Sequence, residues 1–254
     1  MFTRRLMIVA ALLLAACASP PRVIEAGDPV TAIRNVTVIT EYGGARLERH
    51  TVAVRGDRII AVAPDDAIVL PEGATVIDGE GRFLAPGIAD MHIHYQDPSV
   101  GVLMLANSIT TIRNPSGFGV GNGPDTTLAL AARTARGEVV GPFIYSSGQL
   151  MDGPGSFWGP GVVIETVEGI RERARQDAEA GYIAIKLYAQ LTPEQFRAGV
   201  EEARALGLQV YSHVPASMTL EDVLDLRVGS IEHLDAFERS LGGEGQGMQA
   251  RWVA

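Results

Sequence analysis

The tightest constraint on this sequence is a series of short apolar runs that each deliver a metal-binding or titratable side chain. Leu84-Ala-Pro-Gly-Ile-Ala-Asp-Met-His92-Ile-His94 closes on a His-x-His pair. Leu208-Gln-Val-Tyr-Ser-His213 and Val228-Gly-Ser-Ile-Glu-His233 each close on one histidine, and Tyr182-Ile-Ala-Ile-Lys186-Leu-Tyr188 carries a lysine. Lys186 and His213 are 27 residues apart, and His213 and His233 are 20 apart. Each interval holds a strand, a helix and two loops, which predicts successive βα units of a parallel sheet. Each polar side chain then falls at the C-terminal end of its strand, the face on which (β/α) barrels carry their sites. Side chains alternate along a strand, so residues 92 and 94 are expected on one face, within reach of one ion.

The rest of the chain fits that frame. Strands are predicted near 87–94, 108–113, 139–147, 182–187, 208–213 and 229–233. Thr192-Pro-Glu-Gln195 reads as a capping box with proline in the first helical position, followed by Phe196, Val200 and Ala203 at helical spacing and by Gly207 as terminator. Six strands in the segment 86–254 are fewer than the eight of a closed barrel, which takes about 250 residues. The segment is therefore read as α/β, an incomplete (β/α)8 TIM-type barrel, and the chain as the front of a larger protein. Before it, residues 31–85 alternate β-branched residues with glycine turns and predict a small antiparallel β-sandwich segment. Arg55-Gly56-Asp57 is read as one of its hairpin turns. Residues 18–30, with three prolines and no periodicity, are read as a linker.

Residues 1–17 have the form of a leader: basic Arg4 and Arg5, an apolar stretch from Leu6 to Ala16 too short to span a bilayer, and Leu14-Ala15-Ala16-Cys17. Cys17 is the single cysteine, so no intrachain disulfide forms. The box is read as a bacterial lipoprotein site, with a lipid at Cys17 holding the protein to the envelope on its periplasmic side. Absence of aspartate after the cysteine favours the outer membrane. The formal charge of −9 argues against a nucleic-acid surface, which calls for a basic patch. Nothing in the sequence sets an oligomeric state.

Neutral imidazole is the commonest metal-binding side chain, so His92 and His94 are the first candidates. Taken singly, His213 and His233 are as readily core histidines; in register with the others they read as ligands. His50, in a polar stretch, is read as exposed. A lysine among Ile183, Ile185 and Leu187 is costly to bury charged. Two readings of Lys186 stand: a neutral amine that takes up carbon dioxide as a bridging carbamate, or an ion pair with Asp90 or Glu232. The loop from Asn114 to Pro124 lacks the Gly-x-Gly-x-x-Gly spacing of a dinucleotide site. A second loop, Gly148 to Gly161, carries Met151, Phe157 and Trp158 and is read as a lid or substrate wall, or as plain surface.

Around these residues the sequence resembles the amidohydrolase superfamily over roughly residues 31 to 240, nearest its imidazolonepropionase-like and prolidase-like branch. Pro86-Gly87-x-x-Asp90-x-His92-x-His94 is similar to the family's first-strand metal motif. Lys186 matches its fourth-strand lysine, and His213 and His233 its fifth- and sixth-strand ligands. The resemblance implies a divalent-metal hydrolase with two ions, zinc by preference, held by His92, His94, carboxylated Lys186, His213 and His233. Lys186, His213 and His233 are the implied catalytic set, acting through a metal-activated water on an amide of a small peptide or N-acyl amino acid. The family's aspartate at the end of strand eight has no counterpart in the chain. A lactonase or phosphotriesterase using the same centre, and a non-catalytic fragment, remain as alternatives.

Overall fold

A computed structural model describes residues 21–40, 44–95, 97–117, 127–156, 161–234 and 236–237. Cys17, Phe157, Trp158 and much of the expected Asn114–Pro124 loop lie outside the described residues. The chain divides into two compact units, Met1–Pro86 and Gly87–Ala254.

In the first unit β1 (Arg22–Val23) pairs in parallel with β5 (Ile68–Val69). The predicted linker is thus partly structured: Ile24, just after β1, is buried with Val30, Ala53, Ala61, Ala63 and Ile68. A five-stranded sheet is built on β2 (Val30–Ile39), whose alternating buried residues line one face. It pairs antiparallel with β3 (Arg46–Arg55), which pairs antiparallel with β4 (Arg58–Pro64) across the Gly56-Asp57 turn. Gly56 has φ +58°, a conformation that costs glycine nothing. The expectation of a purely antiparallel unit fails on the other side of β2. There β6 (Thr75–Asp78) and β7 (Phe83–Leu84) run parallel to it, because the chain spends β5 on β1 before returning.

The second unit is a parallel sheet in sequence order: β8 (Ile88–Asp90), β9 (Ile109–Asn114), β10 (Phe143–Asp152), β12 (Ala184–Leu187), β13 (Gln209–Ser212) and β14 (Ser230–Ile231). A short β11 (Val162–Val163) branches off β10. Helices α1 (Val100–Ala106), α2 (Thr127–Ala135), α3 (Val167–Ala180), α4 (Pro193–Ala205) and α5 (Leu220–Asp225) fill the crossovers. Consecutive parallel strands joined by helices make the six-stranded arc of a TIM-type half-barrel. The larger core runs between β12, β13 and the helices α3, α4 and α5, through Ile170, Ile185, Leu187, Phe196, Val200 and Val223.

Local sequence explains the best-predicted element. In α4 the Thr192 hydroxyl accepts from Gln195 N–H, the Gln195 side chain accepts from Thr192 N–H, and Pro193 stands at the helix start. Phe196, Val200 and Ala203 are buried, and Gly207 (φ +74°) ends the turn after it. The third strand was misplaced. It runs 143–152, not 139–147, and Met151 is fully buried in the core instead of lining a lid. Gly148, expected to open a loop, lies inside β10. A Cβ there would overlap the carboxyl of Asp177 on α3, so the glycine admits a close helix–strand approach.

Candidate active site

All the candidate residues gather at one end of the parallel sheet. Lys186 lies in β12, whose four residues are all buried, and is 1% exposed. His213 directly follows β13 and His233 stands two residues past β14. His92 and His94 lie just beyond β8, not inside it, so the alternation argument does not describe them directly. Pairing nevertheless continues past the strand: Ile93 N–H bonds Arg113 O at 3.2 Å. His92 N–H bonds the Asp90 carboxylate at 3.0 Å.

The four imidazoles form a continuous chain of ring contacts. Centroids are 5.3 Å apart for His92 and His94, 4.7 Å for His92 and His233, and 4.9 Å for His213 and His233. Tyr188 closes the far end, edge-on to His213 at 4.2 Å. Residues 92 and 233 are 141 positions apart in sequence, so only the curl of the sheet joins them. His233 is exposed and adopts φ +63°, a left-handed conformation rare for a side-chain-bearing residue and typical of functional sites. His50 takes no part in this cluster as described: it is a half-buried residue of β3, its Nδ1 against Glu48 O.

Electrostatics keep the buried rings neutral. Burial first, then His92, Lys186 and His233, lowers His94 to about 4. His213, 7% exposed, is pushed far below the usual histidine range by burial and then by Lys186 and the other histidines. Neutral imidazole is the metal-binding form.

Sequence reading missed an arginine–glutamate pair beside the histidines. Glu232, 5% exposed, enters the sequence reading only as a partner for Lys186. Its carboxylate meets His92 Nδ1 at 2.5 Å and Arg113 Nη2 at 2.8 and 2.9 Å, and accepts from the Ser230 hydroxyl. Burial pushes its pKa up, but hydrogen bonds from His92 and Ser230 and the charges of Lys186 and Arg113 outweigh that and hold it at about 2. The available signal was Arg113 itself, a charge within the apolar strand Ile109-Thr-Thr-Ile-Arg113, much as Lys186 sits in its own.

The donors suit a divalent ion. The Nδ1 of His213 is buried and makes no hydrogen bond. The spacing is that of packed rings, however: among the described residues no three His, Cys, Asp or Glu side chains converge on a point that could hold an ion. Side-chain rotation is needed to close a cage, and Lys186 lies outside that residue set.

No family model matches the chain. Over 94 residues it is 37% identical to an adenine deaminase of Rubrobacter xylanophilus, covering 36% of this chain and 16% of that protein. Over 68 residues it is 37% identical to a dihydroorotase of Lactobacillus johnsonii, covering 27% of this chain and 14% of the relative. A prolidase-like structure from Bifidobacterium longum superposes with TM-score 0.66 at 27% identity, covering 80% of this chain and 53% of the other. The proteins it resembles are thus deaminase-, dihydroorotase- and prolidase-like amidohydrolases. A prolidase complexed with N-methylphosphonate-L-proline shares the fold, with TM-score 0.68 at 22% identity over 84% of this chain and 65% of the other. The matched regions thus span about a sixth of these curated relatives and between half and two thirds of these solved structures.

Proposed function

We propose that the protein is a divalent-metal-dependent amidohydrolase that hydrolyses the amide bond of a small peptide or N-acyl amino acid. The observation that carries this reading is the convergence of four strand-end histidines beside a buried lysine, at the face where such barrels bind substrate. His92, His94, His213 and His233 would hold two ions, zinc by preference, with Lys186 as a carbamate between them. A divalent ion in such a site polarises a carbonyl and acidifies water. The protein's part is to gather the four rings at one sheet end, to bury Lys186 in its strand beside them, and to present the exposed His233 toward an incoming substrate. Prolidase-like neighbours support the peptide substrate class; the adenine deaminase matches support attack on an aminopurine as a second reading. The leader ending at Cys17 supports a lipid-anchored location facing the periplasm.

Metal content and substrate profile test this together. The purified full chain, loaded with zinc and dialysed, should retain close to two ions by elemental analysis. His92→Ala with His94→Ala should lower that by one. Loaded protein should release amino acids from Xaa-Pro dipeptides or N-acyl amino acids in preference to lactones or phosphotriesters. Folded protein that retains no zinc overturns the metal reading, and ammonia release from adenine with no peptide cleavage selects the second.

A further inference from the structure

We propose that Glu232, clamped by Arg113 and Ser230, is a positioning residue that fixes the His92 proton on Nδ1 and leaves Nε2 as the lone-pair nitrogen of that ring. At 2.5 Å, His92 Nδ1 and Glu232 Oε2 share a proton that one of them brings. Both Glu232 oxygens already face Arg113 Nη2, and the Ser230 hydroxyl donates to Oε1. A carboxylate so engaged has only lone pairs to offer, so the ring nitrogen is the donor. In a neutral imidazole the proton on one nitrogen defines the other as acceptor or ligand.

The clamp is built from several strands. Arg113 Nε donates to Met91 O at 2.6 Å, the residue before His92, and Nη1 donates to Ser230 Oγ at 3.0 Å. Its guanidinium lies 4.5 Å over the Tyr211 ring. Arg113 thus ties the ends of β8, β9, β13 and β14 to one carboxylate, and that carboxylate to one ring. A buried carboxylate is expensive unless paired; here the pairing also dictates the tautomer of a candidate ligand. Such carboxylate–imidazole contacts typically tune metal affinity by about 10–100-fold.

The consequence for metal binding rests on the proposed function, whereas the position of the proton does not. The test therefore begins with metal-free full-length protein labelled with 15N-histidine. Long-range 1H–15N spectra at pH 7.5, with the His92 signals assigned by their loss in His92→Gln, should show a neutral ring protonated on Nδ1. A proton on Nε2, or a doubly protonated ring, overturns the assignment. In Glu232→Gln the amide can accept or donate, so the ring should populate both tautomers, and zinc affinity should fall about 10–100-fold. Glu232→Asp should restore the Nδ1–H form and most of the affinity. If Glu232→Gln does not fold, Arg113→Gln with Glu232→Gln buries no unpaired charge and carries the same readings. A single Nδ1–H tautomer together with wild-type zinc affinity in the glutamine variant refutes the proposal. Wild-type protein that shows the Nδ1–H ring but binds no zinc refutes the proposed function and leaves this assignment standing.

Discussion

Asp177 offers the most quantitative perturbation in the molecule. It sits on α3, 1% exposed, with its carboxyl pressed onto Gly148 of β10. Arg173 reaches Oδ1 at 2.9 and 3.0 Å, but Oδ2 is buried without a hydrogen bond. Burial raises the pKa from 3.8 to about 6, and Arg173 only partly opposes it. Below pH 3.8 the group is protonated folded and unfolded, and contributes nothing to the pH dependence. Between 3.8 and about 6 the unfolded chain ionises first, so stability falls as pH rises. Above 6 the full penalty, about 3 kcal/mol, is in place. Asp177→Asn removes the titration and keeps the shape. Its stability relative to wild type should therefore improve by about 2.5 kcal/mol between pH 4 and pH 8, whatever the absolute offset at pH 4. Urea titrations followed by far-UV circular dichroism read the unfolding. The difference between the two proteins cancels the histidines, which titrate in both. A pH-independent difference would refute the burial argument.

Three further outcomes are expected. Lys186→Ala should remove most hydrolytic activity, partly restored by a short carboxylic acid that replaces a carbamate, as read by initial rates with and without the acid; no rescue, with no added mass on Lys186 in native mass spectrometry, refutes carboxylation. Thr192→Ala breaks the capping box of α4 and should cost about 1 kcal/mol in urea unfolding, with no change in zinc content. Cys17→Ser should move the protein from the membrane to the soluble fraction of the expressing cell, and an unchanged membrane fraction would refute the lipid anchor.

The elements legible in the sequence are those whose information is local. The α4 cap, the order of parallel strands and the delivery of His92, His94, Lys186, His213 and His233 to one sheet end follow from apolar runs, spacing and turn chemistry, because a βα repeat returns every strand in the same direction. Local pattern also misled. Gly148 marks the start of a loop in the sequence reading, yet it makes room for Asp177, 29 positions away, within a strand that runs on to Asp152 and takes Met151 into the core. The Pro-rich linker hid β1, since its pairing with Ile68–Val69 leaves no periodicity in two residues. The first unit looked purely antiparallel, because alternation marks a strand and not its neighbour's direction.

What the tertiary structure alone decided is the environment of the site. Arg113 and Glu232 are 119 residues apart, and nothing near either forecasts the other. They meet because the curl of the sheet brings β9 and β14 to opposite sides of one interior, where a buried carboxylate must find a cation and accepts a histidine as well. The sequence by itself determined which residues arrive at the site. The protonation and partners of each were decided only there, since burial and the approach of distant charges are properties of the assembled sheet and not of any single strand.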